Sequence, residues 1–236
     1  MILSIILGGS LWVPALCGAV QTILVVCLFI ESERALPSAV ILAIVSGLAL
    51  LVCDGLGKHL VEASTMFMYV VLLALYQTGV VRGGADVKCL IGLGFMYPCY
   101  PELFVDLDGV PMVMEIVMVP AVSVLFLASI LSVLSCMAYC VWRNRGEKMP
   151  ATERTHMITM SLDEAEHAFV WPVRVIRDGS SVKCLLPDDD DMARLFQDYR
   201  MAGVEKVVVT PMIPFIIPIL AATLVLVFTG NPLFIL

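Results

Sequence analysis

Asp86 is the residue in this sequence best placed to do chemistry. It stands in "VVRGGADVKCLIGLG" (80–94), between a long apolar run and a shorter one. Gly83 and Gly84 come just before it, and Arg82 and Lys88 flank it. An ionised Asp at the centre of a membrane span costs about 2.5–3.5 kcal/mol on insertion scales. At the edge of a span the cost falls, but desolvation still raises the carboxyl's pKa. An acid at that depth is a functional hypothesis by default. The other reading of the position is an N-cap for a helix over 87–98, paired with Arg82 or Lys88. Gly83 and Gly84 permit a backbone that other residues cannot adopt and let a second chain approach. That suits a site that admits a peptide.

The remaining candidates are weaker. Glu31 and Glu33 in "LFIESERALPS" read as solvated loop acids, with Arg34 beside them for pairing. Asp54 in "LVCDGLGKHL" reads as an Asp-Gly turn about a membrane thickness away from Asp86. Glu115 begins a later apolar run. His59, His156 and His167 are scattered without ligand spacing, so no metal or other cofactor is proposed. Cys136 and Cys140 share a helix face at i, i+4, which reads as apolar packing, and the eight cysteines form no disulfide framework. No loop brings His to a Ser or Cys nucleophile. "DDDD" (188–191) reads as a solvated acidic turn, with contact to a basic leader as the alternative.

These residues need a scaffold, and composition says which kind. Of 236 residues, 60% are hydrophobic and 15% charged, against about 25% charged in a soluble domain. The mean hydropathy is +0.97. This predicts an α-helical polytopic membrane protein. Residues 143–206 hold ten of the fourteen Lys/Arg and twelve of the twenty-one Asp/Glu, so the net charge of −7 describes one polar segment. No basic face is wide enough for nucleic acid. No Lys or Arg precedes Arg34, so the first apolar run is expected to be a retained helix and not a cleaved signal.

Spans are predicted near 9–30, 38–53, 63–81, 112–142 and 209–229. The short run 89–98 makes a sixth if it extends into 99–105 or crosses a thinned region. Arg34 falls in the first loop, Arg82 and Lys88 in the third and ten Lys/Arg in the fifth, against Lys58 alone in the second and none in the fourth; the positive-inside rule then makes the odd loops cytoplasmic, with both termini outside. The chain thus divides into a membrane domain (1–142), a small α+β cytoplasmic insert (143–208), and a last span with tail (209–236). Within the insert, Ser161 and Glu164 fit a capping box. "VWPVRVIRDGSSVKCLL" fits a hairpin about Asp-Gly, and "DMARLFQDYRMAG" fits an amphipathic helix with a Gly stop. Gly92 and Gly94 favour close helix packing. The prolines of "TPMIPFIIP" (210–218) should kink or delay the last helix, and could border a substrate groove.

The residues also carry a resemblance. "GGADVKCLIGLGFMYP" resembles the GxGD-type signature of the archaeal preflagellin and type IV prepilin peptidases, which are membrane aspartic proteases. "VVVTPMIPFIIPIL" (207–220) resembles the run into that family's last helix. "RGEKM" and "LLPDDDDMARLFQDY" resemble parts of the archaeal members' cytoplasmic insert. The resemblance touches 83–98 and scattered parts of 145–220. It implies two carboxylates at the cytoplasmic face that share a proton and act as acid and base on a water. It implies no cofactor. The substrate would be a pilin or archaellin precursor, cut between a short charged leader and a hydrophobic helix. Asp86 matches the second acid, with Gly83 and Gly84 as the motif glycines, Lys88 within it, and Ala85 where the family has Gly.

The first acid departs from the pattern, because no Asp precedes Asp54. The family places it several residues before an Ile-Pro-like pair, here Leu36-Pro37, which makes Glu31 the nearest fit. A second alignment, through "AVQT" (19–22), puts Thr22 there, and Thr supplies no carboxylate. Two readings follow: an active endopeptidase using Asp86 and Glu31, or an impaired relative that binds precursors or aids filament assembly. A small transporter would predict inverted repeats and midplane polar residues, and neither is present.

Overall fold

The computed structural model describes residues 18–20, 22, 23, 26, 27, 30, 35–52, 60–78, 84–98, 100, 110–146, 149–177, 180–183 and 192–234. The chain is mostly helical. It divides into two compact units, residues 1–129 with 215–236, and residues 130–214.

In the first unit, α1 (Ala35–Val52) packs against α2 (Leu60–Gln77). Small residues make the seam: Ala39, Ala43, Ser46 and Gly47 are buried on one stripe of α1, so the backbones approach closely. A Cβ at Gly47 would lie 3.1 Å from the Phe67 ring. The Ser46 hydroxyl donates to the Ala43 carbonyl at 2.9 Å and so adds no unpaired polar group to the seam. The outward face of α1 is as apolar as the inward one, with Ile41, Val45, Leu48 and Val52 all more than half exposed. A helix facing water would carry polar residues there.

The next helix, α3 (Gly84–Met96), buries Val87, Leu90, Ile91 and Gly94. It lies tight on α2 at Gly94, where an added Cβ would stand 3.0 Å from Met68 Cε and 3.1 Å from Tyr69 Cε1. Gly92 has open space around it, so of the two glycines expected to favour packing one does so. Buried Thr65 of α2 donates to the Pro98 carbonyl at 2.8 Å and fixes the far end of α3.

The run 112–142 does not form one helix. A short α4 (Met112–Val117) ends at Met118, and α5 (Pro120–Arg143) starts afresh. Pro120 is the cause. It pushes Val119 out of the helical region and is itself well suited to the first helical position. Glu115 therefore belongs to α4 and not to the start of the long helix. The break leaves the Met118 carbonyl free of the helix ladder, and Tyr100 and Ser123 hydroxyls both donate to it.

By length and composition, two helices among the described residues are long and apolar enough to cross a membrane: Leu60–Gln77 and Pro120–Arg143. At 1.5 Å per residue they are about 27 and 36 Å long, against a hydrocarbon core of about 30 Å. The segments Pro37–Val52 and Ile216–Thr229 are apolar but shorter.

The second unit is α+β. It contains α6 (Ala151–Arg154), β1 (Ile158–Ser161), α7 (Leu162–His167), β2 (Val170–Pro172), β3 (Arg174–Arg177), β4 (Ser180–Lys183), α8 (Met192–Met201) and β5 (Lys206–Pro211). β5 is the centre of an antiparallel sheet ordered β1-β5-β2. β3 and β4 form a separate ladder that closes on Arg177 opposite Ser180. Residues 178 and 179, where an Asp-Gly turn is expected, lie between them and outside the described residues. Val170–Pro172, expected in that hairpin, pairs with β5 instead.

The last apolar run also starts later than expected. Residues 206–211 are the β5 strand, and α9 spans Ile216–Thr229. The β-branched run Val207-Val208-Val209-Thr210 favours a strand, and Pro211 and Pro214 hold off the helix. Pro218 sits in the first turn of α9, where no intrahelical N–H is needed.

Local devices close the elements of this unit. The Ser161 hydroxyl accepts from the Glu164 N–H at 3.3 Å, capping α7, while the Glu164 carboxylate accepts from Arg143 at 3.0 Å. α8 ends in a Schellman motif. Gly203 has φ +68°, the Val204 N–H reaches the Tyr199 carbonyl at 3.0 Å, and the Gly203 N–H reaches Arg200 at 3.1 Å. Ile158, Val207, Val209, Leu195, Phe196 and Tyr199 form the core, together with Cys140 at 0% exposure.

Candidate active site at the start of α3

Asp86 lies in the first turn of α3, as the third helical residue. It is not the N-cap, because the helix has already begun at Gly84. In the first turn a carboxylate still gains from the positive end of the helix dipole. Asp86 precedes the apolar run 89–98 and is partly buried. That burial pushes its carboxyl above the ordinary carboxylate range.

Gly84 has a structural reason to be glycine. A Cβ there would lie 3.2 Å from the Tyr76 hydroxyl oxygen and 3.4 Å from the ring's Cε2. Tyr76, from the last turn of α2 and 42% exposed, therefore rests against the first turn of α3. The sequence marked Gly84 as a place where another chain could approach; the group found there is this chain's own tyrosine. Lys88 follows on α3 and is partly buried.

Glu31, Glu33, Arg82, Gly83, Asp54 and the 188–191 acids lie outside the described residues. Thr22 is helical and exposed, and its hydroxyl donates to the Gly18 carbonyl at 2.7 Å. Among the described residues no group of three or more His, Cys, Asp or Glu could hold a metal ion.

Two further features of this unit were not anticipated. One is a buried polar cluster. The Asn231 side-chain amide donates to Tyr100 Oη at 2.8 Å and to Ser123 Oγ at 3.0 Å. The two hydroxyls lie 2.6 Å apart, and Asn231 Oδ1 accepts from the Leu233 N–H at 3.1 Å. Polar residues inside otherwise apolar runs were the available signal. The other is a small, partly open apolar groove between three helices. α3 and its continuation supply Leu93 and Tyr97, α5 supplies Pro120 and Val124, and α9 supplies Thr223, Leu226 and Val227. The Thr223 hydroxyl is spent on the Ile219 carbonyl at 2.8 Å.

Among known proteins, no family model and no curated sequence matches this chain.

Proposed function

We propose that this chain is a multi-pass membrane endopeptidase of the aspartic type. It removes the short charged leader from pilin-like or archaellin precursors at the cytoplasmic face of the cell membrane. The observation that carries the reading is Asp86 itself: a partly buried carboxyl in the first turn of an apolar helix, two residues after Gly84. The resemblance of 83–98 to the GxGD signature supplies the reaction class. The six-span arrangement, with both termini outside, belongs to the same reading and rests on the apolar runs and the Lys/Arg bias of the loops.

Asp86 and Glu31 would share one proton. One carboxylate takes a proton from a water, which attacks the scissile amide carbonyl; the other carboxyl protonates the leaving nitrogen. The bond sits just ahead of the precursor's hydrophobic helix, so a carboxylate at the membrane boundary meets it at the right depth.

A second reading is favoured by one specific observation, the lack of any Asp before Asp54. In it the chain binds precursors, or aids filament assembly, without cutting them. The two separate in membranes supplied with a leader-bearing precursor, followed by size on a gel. Wild type is run beside Asp86→Asn and Glu31→Gln. The endopeptidase reading expects wild type to cut and both variants to fail. Cutting by Glu31→Gln would remove Glu31 from the dyad. A wild type that cuts no precursor while a member of the resembled family cuts the same one would favour binding alone.

A further inference from the structure

The polar segment leaves one apolar helix, α5, and runs into another, α9. On the multi-pass reading both helices cross, so the chain leaves and re-enters on one face of the membrane. Aromatic side chains stand at both points. At the end of α5, Tyr139 and Trp142 are 40% and 60% exposed, with ring centroids 6.3 Å apart, and Arg143 closes the helix. Beside the entry to α9, Phe169 is 70% exposed. Its carbonyl accepts from the Met212 N–H at 2.9 Å, one step beyond the Val170–Pro211 pair of the β2–β5 ladder. Met212 stands four residues before Ile216, where α9 begins, so at most about 14 Å of chain separates them. Val170 and Pro172 are buried, and strand alternation puts Phe169 and half-buried Trp171 on the opposite face. No charge interrupts this edge: 168–173 and 207–234 contain no Asp, Glu, Lys or Arg.

We propose that Phe169 and Trp171 anchor the 143–208 insert in the interfacial layer of the bilayer, on the same membrane face as Tyr139 and Trp142. The inference rests on the membrane part of the reading above and not on its peptidase chemistry. A lone exposed apolar residue needs no explanation. Phe169 is not alone: it is bonded to the stretch that enters an apolar helix, beside a tryptophan and an uncharged edge. Aromatic rings favour the layer where acyl chains meet headgroups. The seat is apolar and not electrostatic, because residues 143–206 hold ten Lys/Arg against twelve Asp/Glu and offer no net positive charge to anionic lipid.

The test uses three full-length proteins, each with a single tryptophan, in phosphatidylcholine liposomes with and without lipids brominated in the upper acyl chain. The first keeps Trp142, with Trp12→Phe and Trp171→Phe. The second carries Phe169→Trp and the third Met201→Trp, each with all three native tryptophans changed to Phe. Met201 is 75% exposed and ends α8 ahead of Lys206. Lys206 lies about 17 Å along β5 from Pro211, so this apolar residue is at the end remote from α9. A ring seated about 5–10 Å into the headgroup boundary meets bromine, so emission from 142 and 169 should fall about twofold or more. Emission from 201 should not change, and added salt should not relieve the quenching at 169. Quenching at 142 but not at 169, or equal quenching at 169 and 201, overturns the anchor and leaves the membrane reading standing. Blue-shifted, unquenched emission from 169 marks a protein contact and overturns lipid as the occupant. No quenching at 142 overturns the membrane reading and the anchor with it.

Discussion

Gly94 offers a sharp test of how α3 is held, and so of how Asp86 is held. Gly94→Ala would put a Cβ 3.0 Å from Met68 Cε, 3.1 Å from Tyr69 Cε1 and 3.2 Å from Tyr69 Oη. Met68 can yield, because its Cε is the end of a flexible chain. Tyr69 is 1% exposed and has nowhere to go without parting α2 from α3. Overpacking of this kind costs about 1–3 kcal/mol. Replacing Gly by Ala inside a helix returns about 1 kcal/mol, so the net destabilisation is about 0–2 kcal/mol. Gly92→Ala isolates the second effect, since nothing lies within 4 Å of a Cβ at that position. It should stabilise by about 1 kcal/mol. The two variants differ by one methyl each, two residues apart on one helix. At about 2–4 °C per kcal/mol for a chain of this size, the apparent Tm of Gly94→Ala in detergent should fall about 2–12 °C below that of Gly92→Ala. Equal midpoints, or a higher one for Gly94→Ala, would refute the close seat of α3 on α2.

Tyr100→Phe strips the hydroxyl shared by Met118, Ser123 and Asn231 and should cost about 1–3 kcal/mol in unfolding experiments; Phe at full stability would mean the cluster holds nothing. Gly203→Ala forces a side chain to φ +68° in open space, so the loss is backbone strain alone, about 1 kcal/mol, read as a lower apparent Tm. Ser161→Ala removes the cap on α7 and should lose a similar amount, whereas Ser161→Asp should retain most of it.

What the sequence made legible was mostly local. Ser161 with Glu164, and the glycine stop at 203, act within a few residues of themselves and were readable for that reason. The break at Met118–Val119 was readable in principle from Pro120, but the hydropathy of 112–142 is continuous and hid it. β5 was read as the run into a helix. Its partners, 158–161 and 170–172, lie more than 30 residues away in sequence, and pairing at that range leaves no periodic trace. The site divides the same way. Asp86 stood out because a carboxylate in an apolar context is costly. The helix start at Gly84, which moves Asp86 from cap to first turn, depends on how Tyr76 and α2 meet the chain. The groove is built from three helices far apart in sequence, and no single segment shows it.

The most direct measurement of the central claim is the intact mass of a leader-bearing precursor incubated with the full-length protein in liposomes. The account predicts a product shortened by the leader, with a new N-terminus at the start of the hydrophobic helix, and no shortening with Asp86→Asn. A precursor cut equally well by Asp86→Asn, or left at full mass by wild type, would contradict it.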